Sequence, residues 1–336
     1  MILKKLLVIF LLTTTLFAQE YEKENNYTLG EGIKVGNLPF YVGGYFSIDY
    51  KNQDSKSRYR INDLALLSYG NYEKFSYMAE LEFKEFYTLS ETDTGDTTEQ
   101  DTSLHIERLY IDYNFNENYI LRVGKYNSQV GFWNLLPINV LRDTTSNPIS
   151  TYKIFPKFTT GLYGSYTSYS DGELKIDTMI QHNDDLDENY NNYVIDEHYS
   201  LGVTYSKEEL DLKLNIGMFD TYMPDNTTQN LYYFLASIKY ETDGYQIMSE
   251  VGTQKSKENF TTEYAGYLQG VYRLNEKNAV ILRLESYNDK FSSIQDEIAI
   301  FGYTYRPLYP VSIKAEYQLH SLEKENQFIF SFSVLF

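Results

Sequence analysis

Segments of about ten residues in which large apolar and polar side chains alternate recur from Phe40 to the end of the chain. In one of them, Leu212, Leu214 and Ile216 alternate with Lys213 and Asn215. Successive side chains of a β-strand point to opposite sides, so a period of two predicts a strand with one apolar and one polar face. Repetition of this pattern along most of the chain predicts an all-β protein.

The final stretch shows the same alternation and ends on an aromatic residue. Phe328, Phe330, Phe332 and Val334 occupy every second position, and Phe336 is the last residue. A strand at the edge of a soluble sandwich would also alternate, and the pattern alone does not say which face points inward. Charged residues occur regularly on one face of otherwise apolar strands. A soluble sandwich would turn that charged face to solvent and bury the apolar face, whereas a barrel in lipid would do the reverse.

The first residues have the pattern of a secretory signal peptide. Lys4 and Lys5 precede the apolar run 6–12, and Ala18 offers a small residue for cleavage. That run is too short for a membrane-spanning helix, which needs roughly 20 apolar residues. We therefore predict a signal peptide at 1–18, a short periplasmic leader at 19–37 and a barrel at 38–336.

Composition excludes several classes of function. The chain has 47 Asp and Glu against 29 Lys and Arg, so binding to nucleic-acid phosphates is not expected. It has no cysteine, which excludes disulfides and thiolate ligands. It also has 35 tyrosines and 20 phenylalanines, and such aromatic residues favour the interface between lipid and water. These features indicate an exported protein with aromatic residues at a membrane surface.

The connections support a count of sixteen strands. Short polar turns, such as 116–118 and 242–244, alternate without a break with longer connections, such as 51–59 and 88–102. Bacterial outer-membrane β-barrels show this asymmetry and an even strand number, and the strand that ends at Phe336 resembles their final strand, which carries the assembly signal. Fourteen or eighteen strands remain possible, because the second and sixth strands are ambiguous in phase. We predict a transmembrane antiparallel up-and-down barrel with short periplasmic turns and longer extracellular loops.

With the apolar face toward lipid, the charged face encloses a lumen. An isolated Lys or Arg facing the lipid midplane would cost about 2–4 kcal/mol, whereas one facing water costs little. A barrel of this size also has more circumference than its own side chains fill, so it should contain water. The charges predicted to line the lumen are Glu80, Glu82, Lys84, Arg108, Asp112, Arg122, Arg283, Glu285, Lys314 and Glu316.

The connection 127–158 differs from a solvated loop tip. It contains the only tryptophan of the chain, Trp133, together with many apolar residues. A loop beyond about 15 residues is usually functional or disordered, and this one is too apolar for disorder. Such a loop can bury its side chains by folding into the barrel, or by packing over its mouth or against a neighbouring subunit. We predict that it folds inward.

At this segment the chain resembles sixteen-stranded porins. A long third outer loop that follows a strand of the form Leu121-Arg122-Val123-Gly124-Lys125 is similar to their constriction loop. The segment from Val123 to Asn134 also resembles phosphate-selective and related porins, although basic residues are only scattered here, which puts phosphate as a substrate in doubt. The resemblance implies that the loop narrows the pore and that Arg142, Asp143, Lys153 and Lys157 face the constriction.

The resemblance implies an outer-membrane porin of a Gram-negative bacterium that passes small hydrophilic solutes by passive diffusion. Implied partners are outer-membrane lipid, lipopolysaccharide, the barrel-assembly machinery through Phe336, and further copies in a homotrimer. Acidic outer loops around 91–101 and 184–197 favour a weak cation preference. We expect no enzyme activity, no cofactor and no metal site. The alternatives are a non-conducting structural or adhesive barrel and, less favoured, a hydrolase that uses His182 beside Asp184 and Asp185.

Overall fold

The computed structural model describes residues 27–36, 39–222, 228–322 and 325–336. The predicted signal peptide and residues 19–26 of the predicted leader lie outside the described residues. Residues 27–36 form a small hairpin of β1 (Tyr27–Thr28) and β2 (Gly32–Lys34), and β2 pairs with the start of the first barrel strand.

Within the described residues, sixteen strands form one closed antiparallel barrel, in which each strand pairs with its neighbours in the chain. They are β3 (Phe40–Gln53), β4 (Lys56–Tyr72), β5 (Phe75–Thr92), β7 (Leu104–Asn114), β8 (Tyr119–Asn127), β9 (Phe158–Ser168), β10 (Glu173–His182), β11 (Glu197–Lys207), β12 (Leu210–Tyr222), β13 (Thr228–Glu241), β14 (Tyr245–Lys255), β15 (Phe260–Asn275), β16 (Asn278–Asp289), β17 (Ile294–Leu308), β18 (Val311–His320) and β19 (Gln327–Leu335). The predicted strand number and fold class are confirmed.

The two ends of the barrel sheet close on each other. β19 pairs antiparallel with β3, for example Phe330 with Tyr50. Beyond β19, the Phe336 N–H donates to Gly44 O at 2.8 Å, and the Gly44 N–H donates to Phe336 O at 2.7 Å. A Cβ at Gly43 would lie 2.5 Å from Phe336 O, so glycine permits this close approach. This pairing joins the first and last strands of the described barrel, so neither is a free edge strand, as a strand protein in lipid requires.

The apolar faces of the strands point outward, as predicted. On β12, Leu214 is 53% exposed and Ile216 is 52% exposed. Lys213 before Leu214 and Asn215 between the two apolar residues are both buried. In the terminal strand Phe328 and Phe330 are exposed, and Ser331 is buried. The outer surface is therefore apolar, and the charged side chains are enclosed.

A β-bulge explains why the second strand was ambiguous in phase. β4 pairs Asp63 with Ser47 and Ile61 with Ile48, so Asn62 is an extra residue. Asn62 and Asp63 are both buried, although they are consecutive. A bulge places two residues opposite one and breaks the strict alternation from which a strand is predicted.

The strands extend further on the extracellular side than predicted. The predicted connection 51–59 consists of strand residues except for Asp54 and Ser55. Most of 88–102 is also strand, because β6 (Gly95–Glu99) pairs with the end of β5 as a protruding hairpin. The turns at the other end are short throughout. Among the described residues no helix is long and apolar enough to cross a membrane, and the α-helix α1 (Ser150–Lys153) is four residues long.

Leu214→Arg tests the outward orientation. Leu214 lies near the middle of the outward face of β12, where a charge would meet hydrocarbon. We expect the free energy of unfolding in lipid vesicles, measured by urea titration, to fall by about 2–4 kcal/mol. Glu209→Arg in the exposed turn before β12 is the control and should leave the free energy of unfolding unchanged. An equal effect of the two substitutions would contradict an outward lipid-facing surface at Leu214.

Candidate channel lumen

The third outer loop, residues 128–157, folds into the barrel. It contains two 3-10 turns, Trp133–Leu135 and Asn139–Leu141, followed by α1. Val130, Ile154 and Phe155 are fully buried, and they pack in a cluster with Phe219 and Leu235 of the barrel wall. Burial of such a side chain contributes about 1.5–3 kcal/mol, so the apolar composition of the loop drives it inward.

The middle of the loop packs on the opposite side of the barrel. Ile138 and Val140 lie against Tyr45, Ala65 and Leu67, which belong to β3 and β4. The other cluster of the loop lies against wall residues of β8, β9, β10, β12, β13 and β15. The loop therefore crosses the lumen and contacts both walls.

The first polar anchor of the loop is a group of wall side chains that bind its backbone. Glu250 of β14 accepts hydrogen bonds from the backbone N–H groups of Phe132 and Trp133. Lys213 of β12 donates to Gly131 O at 3.0 Å. Gly131 has φ +67°, and a Cβ there would lie 2.7 Å from Glu250 Oε1, so this contact requires glycine.

The second polar anchor lies on β16 and β18. Arg283 Nη1 donates to Thr144 Oγ1 at 2.7 Å. Lys314 Nζ donates to the Asn139 backbone oxygen at 2.5 Å. Glu316 accepts from Ser146 Oγ at 2.6 Å, and Glu285 accepts from the Ile149 N–H at 2.8 Å. A buried backbone group without a partner would cost about 1–3 kcal/mol, so wall charges stabilise the inward path.

The four loop residues predicted to face the constriction lie in different environments. Arg142 is 9% exposed, and Asp143 approaches Arg306 at 3.6 Å. Lys153 pairs with Asp289 of β16 at 2.6 Å, and Lys157 lies over the ring of Phe158 at 4.8 Å from its centroid. Arg142 and Asp143 both border an open space of the lumen that is described below. Lys153 is instead bound to a residue of the barrel wall.

The predicted lumen charges all point inward, and most are paired. Arg108 pairs with Glu80, and Arg122 pairs with Asp112 at 2.7 Å. Lys84 pairs with Asp63 and lies 3.8 Å from Glu82. The third outer loop covers the remaining four charges, which contact it rather than open solvent: Arg283, Glu285, Lys314 and Glu316. Asp63 and Glu107 are further buried acids at β-bulges, where strict alternation does not predict which residues point inward.

The fourth outer loop, residues 183–196, also packs inward, which the sequence analysis did not predict. β7 and β8 pair only up to Leu109 and Lys125, so the upper part of β7 has no partner in β8. Asp187 enters this gap and accepts from the Ile106 N–H at 2.9 Å. Asp185 pairs with the fully buried Lys125 at 2.6 Å. Asp185 and Asp187, two of the acidic residues predicted at the channel entrance, therefore fill a gap in the barrel wall.

Tyr193 joins the two inward loops. Its hydroxyl donates to Lys153 O and accepts from Gln254 Nε2, both at 3.1 Å. Burial raises the pKa of Tyr193 to about 12. The hydroxyl therefore remains neutral and able to donate at any physiological pH.

The residues considered for a hydrolase do not come together. The side chain of His182 is 73% exposed on the outer wall, with Glu197 Oε1 at 3.0 Å. Asp185 is engaged by Lys125 and Thr160 instead. The Asp–His grouping that suggested catalysis is therefore not formed.

An open space remains beneath the third outer loop at the short-turn end of the lumen. Its volume is about 480 Å³. The loop forms its ceiling through residues 132–143, and β13, β14, β15 and β17 form its walls. The space is bordered by both apolar and charged side chains.

No family model and no curated protein matches the chain. Solved structures do. The outer membrane channel DcaP of Acinetobacter baumannii aligns with a TM-score of 0.58 at 11% identity, covering 91% of this chain and 100% of that one. An anion-selective porin from Comamonas acidovorans gives 0.61 at 11% identity, with 88% and 99% covered. OmpF of Salmonella typhi gives 0.61 at 9% identity, with 90% and 100% covered.

The chain has the fold of outer-membrane porins. Each of these structures is covered almost completely, so the similarity extends over the whole barrel. At such low identity it shows the architecture, and the chemistry of the lumen must be argued from this chain.

Glu250→Ala tests the first anchor of the third outer loop. Loss of the carboxylate leaves the N–H groups of Phe132 and Trp133 without their acceptor, at a cost of about 1–3 kcal/mol. Trp133 is now buried against Met248 and Tyr267. We expect its fluorescence emission to shift to longer wavelength and its quenching by acrylamide to increase. Glu209→Ala in an exposed turn is the control, and unchanged emission in Glu250→Ala would show that this anchor does not hold the loop.

Proposed function

We propose that the protein is an outer-membrane porin that forms a water-filled channel for passive diffusion of small hydrophilic solutes and ions. The observation that carries this proposal is a closed sixteen-stranded barrel with an apolar outside, a charged inside and a loop that crosses its lumen. A charged inner wall lowers the cost of bringing a polar solute through a membrane.

The third outer loop is proposed to constrict the channel. It contacts opposite walls and fills the middle of the barrel, so solutes pass only where the loop leaves space. Arg142 and Asp143 border the space beneath the loop, and with Lys153 and Lys157 they are the charged residues proposed to act at the narrow part. The lumen charges that are not covered by the loop, such as Arg122 and Lys84, are proposed to line the route.

The basis for a weak cation preference is smaller in the structure than in the sequence. Asp185 and Asp187 of the predicted acidic mouth bind Lys125, His105 and the backbone of β7. Asp184 and Glu188 remain exposed. Cation preference therefore rests on these remaining acids and on the protruding hairpin at 88–101.

The proposed location is the outer membrane of a Gram-negative bacterium, with lipid and lipopolysaccharide around the barrel. Phe336 is proposed to be read by the barrel-assembly machinery before it closes the seam with Gly44. Assembly as a homotrimer is proposed from the resemblance to porins. A non-conducting structural or adhesive barrel is the main alternative, and a conductance measurement separates the two.

Asp143→Cys tests conduction and constriction together. The chain has no cysteine, so a thiol introduced at Asp143 is the only one that a reagent can modify. The purified protein in a planar bilayer should show steady conductance steps. Modification of Asp143→Cys with a bulky cationic methanethiosulfonate should reduce those steps, because the adduct occupies the space beneath the loop.

The matched control is Glu209→Cys, which places the thiol in an exposed turn. Its modification should leave the step size unchanged. Absence of steps in the unmodified, correctly folded protein would favour the non-conducting alternative. Steps that persist at full size after modification of Asp143→Cys would show a channel whose narrow part lies elsewhere.

A further inference from the structure

The space beneath the third outer loop has an uneven charge. Four cationic side chains border it, and two acidic ones do: Arg142, Lys239, Arg273 and Arg306 against Asp143 and Glu241. Arg273 pairs with Glu241 at 2.5 Å, and Arg306 approaches Asp143 at 3.6 Å. Lys239 pairs with Asp211 of the neighbouring strand at 2.9 Å. After these pairs are counted, a cationic side chain remains.

That remaining side chain is Arg142. It is 9% exposed, and within the part of the chain that the structure describes it has no carboxylate within 4 Å. One guanidinium nitrogen donates to Asn147 Oδ1, while its buried Nε has no hydrogen-bond partner among the described residues. A buried cation with an unused donor costs free energy unless an anion or another acceptor binds it.

The other part of the boundary is apolar. Trp133, Leu136 and Leu141 of the loop and Met248 of β14 border the same space. Leu136 is 38% exposed, although the rest of the loop buries most of its large apolar side chains. Apolar side chains beside a few convergent polar groups are characteristic of sites for small organic ligands.

We propose that this space binds small organic anions that combine a carboxylate with an apolar body. The carboxylate lies at Arg142, within the field of Arg273 and Arg306, and the apolar body lies against Trp133 and Leu136. The proposal rests on the proposed function in one respect, namely that solutes reach the lumen. It adds a preferred class of solute and a site in the lumen where that solute binds.

The charge distribution disfavours other solutes. An organic cation would meet Arg142 and would have to displace Arg273 or Lys239 from the acids that they already bind. A neutral solute of the same shape would leave the charge of Arg142 without a counter-ion. A small anion such as acetate would satisfy Arg142 but would leave the apolar side unfilled.

The single tryptophan makes occupancy measurable in detergent, without any conductance. Trp133 borders the space, so its fluorescence reports a ligand there. Cyclohexanecarboxylate does not absorb where tryptophan is excited. It should change Trp133 emission with saturation, whereas cyclohexylmethanol and cyclohexylammonium should not, and acetate should act only at much higher concentration.

Arg142→Gln should raise the half-saturating concentration of cyclohexanecarboxylate about tenfold, because one charge-assisted hydrogen bond is lost. Arg142→Lys should recover part of that loss. Leu136→Asn should raise the half-saturating concentration of cyclohexanecarboxylate and leave that of acetate unchanged. Lys277→Gln, in an exposed turn, is the matched control and should bind as the native protein does. The mobility shift on heating in detergent gels verifies folding of each variant.

Either of two titration results with the native protein would overturn the proposal: no saturable change with cyclohexanecarboxylate, or equal changes with cyclohexylmethanol. An unaltered half-saturating concentration in both Arg142→Gln and an Arg273→Gln variant would also overturn it. These outcomes are independent of the channel proposal, because conductance steps can be present while the fluorescence titration fails.

Discussion

The structure depends on closure of one antiparallel sheet whose two faces differ in polarity. In lipid, every backbone N–H and C=O of a strand must find a partner, and a sheet without edges provides one. The pairing of β19 with β3 supplies that closure, and Phe336 extends it to the last residue. Once the sheet is closed, the period of two places residues such as Leu214 outside and Lys213 inside. The charged side chains therefore point into the lumen.

Enclosed charges in turn explain the path of the third outer loop. Arg283, Lys314 and Glu316 would be costly if they were buried without partners. The loop provides those partners through the side chains of Thr144 and Ser146 and the backbone oxygen of Asn139. The apolar side chains of the loop gain burial on the same path. Two separate terms therefore favour one arrangement, in which the loop divides the lumen and leaves space near Arg142 at the short-turn end.

The sequence predicted the elements whose signal is local and missed those that depend on distant pairs. Alternation located the sixteen barrel strands but not their extracellular ends or the short strands β1, β2 and β6. The apolar composition of 127–158 predicted an inward loop. The phase of β4 was not predictable, because the bulge at Asn62 has no distinct residue pattern. For the fourth outer loop, the acidic residues at 184–197 predict a weak cation preference but not inward packing. Its role depends on the early end of the β7–β8 pairing and on Lys125, neither of which is visible from residue type.

The claim on which everything rests is that the outward residues contact acyl chains. Nitroxide labels placed singly along 212–216, in a chain without native cysteine, test it most directly in lipid vesicles. We expect frequent collisions with dissolved oxygen at Leu212, Leu214 and Ile216 and few at Lys213 and Asn215. The opposite phase, or equal accessibility at all five positions, would contradict it.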